Sequence, residues 1–244
     1  MIASNTKIQI ICYLHRMMKK SVRIAGIVFL ILSLLDVVPL MVGIEGIHSR
    51  VKPLLIPSLA VAALCALLPA FKGRKTVLLA VGLLLHTAGD ILLIFDNKGF
   101  LFFALGLGAF LLGHICYLWV LLTGMGGLKG WKEALCCVLP LPLAIVLAGI
   151  FGAEGFMRYA LVVYAFTLLF EIATGVLWML RGRPMGIRIL LGAVIFLISD
   201  ALLALNAFAD IDFPTRHGLV MATYLVAEWL LVSGMVRNRQ LEEA

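Results

Sequence analysis

Eight apolar runs dominate the chain, each about 20 residues long and separated from the next by a short polar segment. An α-helix needs about 20 mostly apolar residues to span the hydrocarbon core of a bilayer. Of the 244 residues, 63% are hydrophobic and 14% are charged, whereas about 25% of the residues of a soluble domain are charged. The runs therefore predict an all-α, polytopic membrane helical bundle with eight transmembrane helices.

The positions of these runs set the expected domain organisation. The eight spans are predicted at residues 24–43, 53–71, 77–95, 100–123, 134–151, 157–180, 187–208 and 218–236. Pro140 and Pro142 predict a kink in the fifth span, because proline removes a helical hydrogen bond and clashes with the preceding turn. We expect one transmembrane domain over residues 24–236, with a cytoplasmic segment at 1–23 and a cytoplasmic tail at 237–244.

The basic residues predict how the bundle is oriented. With eight spans, 15 of the 20 Lys and Arg residues fall on the side that holds both termini. Cytoplasmic loops carry an excess of Lys and Arg, so we expect both termini in the cytoplasm. The same pattern accounts for the net charge of +7 and argues against nucleic acid as a partner. A bacterial inner membrane is the default location.

Two of the spans carry an aspartate in the middle of an apolar run. Asp90 lies in the third span and Asp200 lies in the seventh, 110 residues later. A charged side chain at the bilayer centre costs several kcal/mol, about 2.5–3.5 on insertion scales, so such residues are rare and usually functional. At about 1.5 Å per residue both lie roughly 20 Å from the inner face. We therefore expect the two carboxyl groups to form two halves of one site.

The spacing of the aspartates also suggests an internal repeat. His114 and Tyr224 are likewise 110 residues apart. Four spans in each half would give a 4+4 parallel repeat, related by an axis along the membrane normal.

Other polar side chains are expected at similar depths in neighbouring spans. Lys52 enters the second span from the outside, and the alternative to a binding role is that it reaches back to the interface. His86 lies one turn before Asp90, which favours a hydrogen-bonded pair over a metal site. The remaining polar groups are expected to line the same cavity: Asp36, His114, Tyr117, Glu171, Tyr224 and Glu228. The alternatives are that Asp36 bonds backbone at a kink near Pro39, that His114 and Tyr117 hydrogen-bond between helices, and that Glu171 and Glu228 pair with Lys52, His or Arg groups.

The sequence lacks the motifs of several other chemistries. The five cysteines have no zinc-ligand spacing, and no Walker loop, His-Glu-x-x-His or Gly-x-Ser-x-Gly sequence occurs. We therefore expect no metal and no cofactor. Two carboxyl groups in one buried pocket tend to divide into a protonated and an ionised group, which supplies a general acid and a general base. This chemistry suits hydrolysis of a membrane-resident substrate or proton-coupled transport.

Five short motifs occur in a fixed order along the spans. They are Lys52-Pro53, Gly89-Asp90-x-Leu-Leu, Gly113-His114-x-x-Tyr117, Ser199-Asp200-x-x-Leu-Ala and Tyr224-x-x-Ala227-Glu228. In order and placement they resemble the YhhN-like lysoplasmalogenase family of eight-span membrane proteins, and the resemblance covers nearly all of residues 24–236. One departure is Glu228, where the family pattern leads us to expect Gln.

The resemblance implies an enzyme that hydrolyses the vinyl ether bond of lysoplasmalogens, giving a fatty aldehyde and a glycerophospho-ethanolamine or -choline. It implies that Asp90 and Asp200 are the catalytic acid and base, in either assignment, as in the carboxyl pair of glycoside hydrolases. It also implies a lysophospholipid substrate held without a metal. The substrate-binding residues would be Lys52, His114, Tyr117, Tyr224 and Glu228.

Two other functions stay open at this point. A metal-dependent intramembrane amidase or esterase would use His86, Asp90, His114 and Asp200 as ligands. A proton-coupled transporter would use the same aspartates at the midplane of a repeated bundle.

Overall fold

The computed structural model describes residues 2–67, 73–151, 154–209 and 215–242; of residues 2–19 it describes the backbone only. Every regular element in these residues is helical. The α-helices are α1 (Ile2–Met41), α2 (His48–Leu67), α3 (Arg74–Leu93), α4 (Phe100–Met125), α5 (Trp131–Val138), α6 (Pro140–Ile150), α7 (Gly155–Leu180), α8 (Gly186–Ala209) and α9 (Arg216–Glu242). Eight segments of the described chain are long and apolar enough to span a membrane, which confirms the predicted all-α bundle.

The fifth span is broken where its prolines predict a kink. Helix α5 ends at Val138, and α6 begins at Pro140. Pro140 occupies the first turn of α6, where its missing N–H is not needed. The two short helices together cover the span Glu133–Ile150.

The first helix begins earlier than the sequence analysis predicted. We expected the span to start at residue 24, but α1 is helical from Ile2, although the apolar part begins at Lys20. No glycine or proline precedes Gly26 in the sequence, so nothing local ends the helix before the polar N-terminal residues. The expected cytoplasmic location of this segment and of the C-terminus stays a prediction.

Helices α3 and α4 pack against each other through two opposed pairs of glycines. A Cβ added to Gly82 would lie 3.3 Å from the carbonyl oxygen of Gly113, and a Cβ on Gly89 would lie 3.2 Å from that of Gly106. Small residues let two membrane helices approach this closely. A Cβ on Gly113 would also lie 2.1 Å from Cδ2 of His86. These four glycines, called the glycine seam below, therefore let the His86 side chain pack against the α4 backbone.

The other helices enclose this pair from two sides. Helix α9 packs against α8, α1 and α2, and α7 packs against α8, α4 and α6. The stacked rings of Phe29 and Trp229, with centroids 5.9 Å apart, join α1 to α9. Helix α6 packs mainly on α7, so a space is left between α6 and the helices α4 and α8.

Candidate active site

Asp90 is buried between three helices. The hydroxyl of Tyr224 on α9 donates a hydrogen bond of 2.9 Å to its carboxylate. The ammonium of Lys52 on α2 lies 3.9 Å from the other carboxylate oxygen. The Lys52 side chain is only 9% exposed, and its ammonium faces Asp90. The role of Lys52 in substrate binding stays a prediction.

Asp200 has different surroundings. It lies on α8, and the hydroxyl of Tyr164 on α7 donates a hydrogen bond of 2.5 Å to its carboxylate. The neighbouring Ser199 donates to the carbonyl of Val220 on α9 at 2.9 Å, which ties α8 to α9 beside the aspartate. Tyr164 was not singled out from the sequence; the available signal was its position seven residues before Glu171, on the same face of one helix.

The two aspartates are not directly bonded to each other. Within the described residues, no hydrogen bond or ion pair joins Asp90 to Asp200. They are linked through aromatic rings, because Phe196 lies one turn before Asp200 and its ring centroid is 5.6 Å from that of Tyr224. Their joint action as acid and base stays a prediction, and it does not involve a proton shared by two touching carboxyl groups.

Two histidine–glutamate pairs lie in the buried core of the bundle, on or next to the helices that carry the aspartates. Nδ1 of His86 is hydrogen-bonded to Glu228, and Tyr117 donates to the second oxygen of Glu228 at 3.0 Å. Nδ1 of His114 is hydrogen-bonded to Glu171 at 2.7 Å. All five side chains are fully buried, and the two imidazole centroids are 4.8 Å apart.

These pairs correct one prediction and confirm another. The expected hydrogen-bonded pair of His86 and Asp90 is wrong, because the His86 ring turns toward Glu228 on α9. The alternative in which His114 and Tyr117 join neighbouring helices is confirmed.

None of the residues of these pairs lines either of the two cavities described below. Their predicted contact with substrate therefore stays a prediction. Their hydrogen bonds with one another join α3, α4, α7 and α9.

A polar cavity of about 730 Å³ opens on the side of the bundle opposite the termini. It is bounded by the α1–α2, α3–α4 and α8–α9 ends, and Lys52 lies in its wall. The other polar lining residues are Glu45, His48, Ser49, Asn97, Arg216 and His217. His48 also bonds one carboxylate oxygen of Asp36 at 2.8 Å, whereas the other, Oδ2, is buried without a hydrogen-bond partner.

An apolar cavity of about 220 Å³ lies between α4, α6, α7 and α8. Apart from Tyr164 and Asp200, every residue that lines it is apolar. Phe103 and Leu203 line both this cavity and the polar one. The site therefore combines a polar cavity and an apolar cavity that share two wall residues. Asp200 lines the apolar cavity, and Asp90 is linked to the polar one through Lys52, which lines it.

The four ligands of the metal-dependent alternative do not converge. Each is bonded to a separate partner, and no group of three or more His, Cys, Asp or Glu in the described residues is arranged to hold an ion. The Nε2 atoms of His86 and His114 are buried without a hydrogen-bond partner.

Comparison with known proteins agrees with the motifs in the sequence. The YhhN family matches residues 47–235. Human Lysoplasmalogenase TMEM86A is 29% identical over 173 residues, which cover 66% of this chain and 65% of that protein. Human Lysoplasmalogenase TMEM86B is 30% identical over 167 residues, which cover 68% and 66%.

The match thus spans just under two thirds of the length of each human relative. No solved structure matches the chain. The family match covers all five motifs and most of the helical bundle. The chain is a multi-pass integral membrane protein that belongs to the YhhN family.

Proposed function

We propose that this protein hydrolyses the vinyl ether bond of lysoplasmalogens, releasing a fatty aldehyde and a glycerophospho-ethanolamine or -choline. The observation that carries the proposal is the pair of adjoining cavities, one polar beside Asp90 and one apolar beside Asp200. A lysolipid has the same division, with a charged headgroup and a single hydrocarbon chain. The names of the two human relatives support the same substrate class.

The polar cavity suits the headgroup of such a lipid. Lys52 and Arg216 supply positive charge for a phosphate, which binds cationic side chains through charge-assisted hydrogen bonds. Glu45 is largely exposed in the same cavity, and its carboxylate provides a counterion for an ethanolamine or choline ammonium.

The positions of the aspartates suggest which is the acid. Asp200 borders the apolar cavity, so it faces the alkene carbon that continues into the chain and must receive a proton. Asp90 lies beside Lys52 on the headgroup side, nearer to the carbon that carries the ether oxygen. The Lys52 ammonium compensates the charge of an Asp90 carboxylate.

The reaction then proceeds in three balanced steps. Asp200 transfers its proton to the alkene carbon on the chain side, and the neighbouring carbon becomes an oxocarbenium ion. Water attacks that carbon and loses its proton to Asp90, giving a hemiacetal. In the collapse, the hemiacetal hydroxyl returns a proton to Asp200, and the glycerol oxygen leaves with the proton held by Asp90. Both aspartates regain their starting forms.

The tyrosine hydroxyls position the two aspartates, and the histidine–glutamate pairs pack next to them in the core. Tyr224 and Tyr164 each hold one carboxylate oxygen. The other oxygen of Asp90 faces Lys52, and that of Asp200 is left for substrate or water. Behind them, the Phe196 ring lies 4.2 Å from the His114 ring, centroid to centroid. A carboxyl group held in this way is ready for proton transfer without rearrangement.

The experiment that tests the proposal uses three lysolipids with the same headgroup and chain length. Purified protein in detergent is given the vinyl ether, the saturated ether and the ester, and aldehyde and fatty acid are measured. We expect aldehyde from the vinyl ether and no cleavage of the saturated ether, which has no alkene carbon to protonate. Release of fatty acid from the ester without aldehyde from the vinyl ether would refute the proposal.

A further inference from the structure

We propose that the apolar cavity between α4, α6, α7 and α8 binds the hydrocarbon chain of the substrate, and that Leu147 on α6 sets the preferred chain length. This inference rests on the proposed function, because it names where the lipid chain of that reaction lies. It adds a specificity-determining residue on a helix that carries no catalytic group.

The lining of the cavity identifies its occupant. Its walls are aliphatic and aromatic side chains, with Asp200 and Tyr164 as the polar groups. Apolar walls of this kind bind hydrocarbon and exclude charged ligands, since a charge would lose its hydration without gaining a partner. The occupant is therefore a chain whose reactive end lies at Asp200.

The two cavities fix the direction of that chain. Phe103 on α4 and Leu203 on α8 belong to both cavities. A lipid with its phosphate beside Lys52 therefore passes between these two residues before its chain enters the apolar space. The bond between headgroup and chain is then brought toward Asp200, which lies less than one helical turn before Leu203.

Helix α6 forms one wall of the cavity, and a side chain on it can change size without disturbing the two aspartates. It follows the break at Leu139–Pro140 and packs on α7 through Ala144 and Ala148, both fully buried. Leu147 is partly buried and lines the cavity, whereas its neighbour Val146 is 55% exposed on the outer face. The residues that bond the aspartates lie on other helices. A change in the size of residue 147 therefore changes the space for the chain.

The test compares four proteins: wild type, Leu147→Trp, Leu147→Ala and the matched control Val146→Trp. Each is given lysoplasmalogens with a ten-carbon and an eighteen-carbon chain, and kcat/KM is measured for both. In parallel, the dissociation constants of the saturated alkyl-ether lysolipids of the same two lengths are measured. These ligands are not cleaved, so they report chain binding whether or not the protein is a lysoplasmalogenase.

We expect Leu147→Trp to lower the ratio of long-chain to short-chain kcat/KM by about tenfold, because a filled pocket rejects the added methylenes. Leu147→Ala should raise the same ratio, and Val146→Trp should leave it at the wild-type value. The dissociation constants should follow the same order. Since the two Leu147 variants act in opposite directions, the Ala variant decides the matter if the Trp variant does not fold.

An unchanged ratio in both Leu147 variants would overturn the inference. Equal losses for short and long chains would do the same, because they would show damage to the site rather than to chain selection. Wild type that releases no aldehyde would refute the proposed function, and the alkyl-ether dissociation constants would then decide alone whether the cavity selects chain length.

Discussion

Asp90 and Asp200 occupy matching places in two spans, yet the structure gives them opposite surroundings. Asp90 is joined to a cation and a tyrosine and lies on the side of the charged cavity. Asp200 is joined to a neutral tyrosine and borders an apolar cavity. Two carboxyl groups with the same role would not need different surroundings. The contrast supports the proposal that the two groups face different ends of one amphipathic substrate.

The contrast also limits the predicted repeat. Under a shift of 110 residues, Tyr224 corresponds to His114. Asp90 is bonded by Tyr224, but Asp200 is bonded by Tyr164 and His114 is bonded to Glu171. The parallel repeat stays a prediction for the helices, while the partners of the two aspartates do not follow it.

The largest effect is expected for Asp200→Asn. The amide cannot protonate the alkene, so kcat/KM should fall by about 10³–10⁴-fold, the upper range for loss of a general acid. The amide oxygen can still accept the Tyr164 hydrogen bond, so the thermal unfolding temperature in detergent should stay close to that of wild type. Wild-type turnover by this variant would show that the acid lies elsewhere.

Asp90→Asn should lower activity by about 10²–10³-fold and, unlike Asp200→Asn, should also destabilise the protein. It leaves the Lys52 ammonium buried without its counterion, which costs about 3–5 kcal/mol for a buried pair. The double variant Lys52→Met, Asp90→Asn should recover stability but not activity. If Asp90→Asn unfolds at the wild-type temperature, the ion pair does not stabilise the bundle.

Removing the tyrosine hydroxyls should have a smaller effect. Tyr164→Phe and Tyr224→Phe each delete one hydrogen bond to an aspartate. Such a bond is worth about 1.5–3 kcal/mol when the acceptor is charged, as Asp90 is before the reaction and Asp200 becomes once it has given up its proton. We expect kcat to fall about 10–100-fold in each, with the KM of the substrate little changed. Tyr159→Phe is the control, because Tyr159 is 73% exposed on the outside of α7. A rise in KM with kcat unchanged would instead assign the hydroxyls to substrate binding.

The smallest effect is expected for the glycine seam between α3 and α4. Gly113→Ala places a methyl group 2.1 Å from Cδ2 of His86, and overpacking of this kind costs about 1–3 kcal/mol. Gly108→Ala on the same helix meets no atom within 4 Å and should be neutral or stabilising by up to about 1 kcal/mol. Thermal unfolding of the two variants checks this pair. Equal unfolding temperatures would show that α3 and α4 can separate at no cost.

Much of the fold was predictable because membrane spans are encoded locally. Apolar runs fixed the eight spans, and Pro140 marked the break in the fifth. Partners across helices were harder to predict, because the sequence gives the depth of a side chain more directly than its rotation about the helix axis. For that reason the sequence predicted the depths of Asp90 and Asp200 in their spans, but it predicted neither the hydrogen bond from Tyr164 nor the turn of His86 toward Glu228. The cavity residues His48, Arg216 and His217 lie at helix ends, where the pattern of apolar residues does not predict which side chains meet.

The most direct test of the account follows the atoms of solvent into the products. Wild-type protein is allowed to cleave a lysoplasmalogen in deuterium oxide that contains oxygen-18, and the aldehyde is trapped at once by reduction. Proton transfer to the alkene followed by attack of water predicts one deuterium on the carbon next to the former aldehyde carbon. It also predicts oxygen-18 in the trapped alcohol and none in the glycerol product. Oxygen-18 in the glycerol product, or no deuterium on carbon, would contradict acid–base cleavage by the two aspartates.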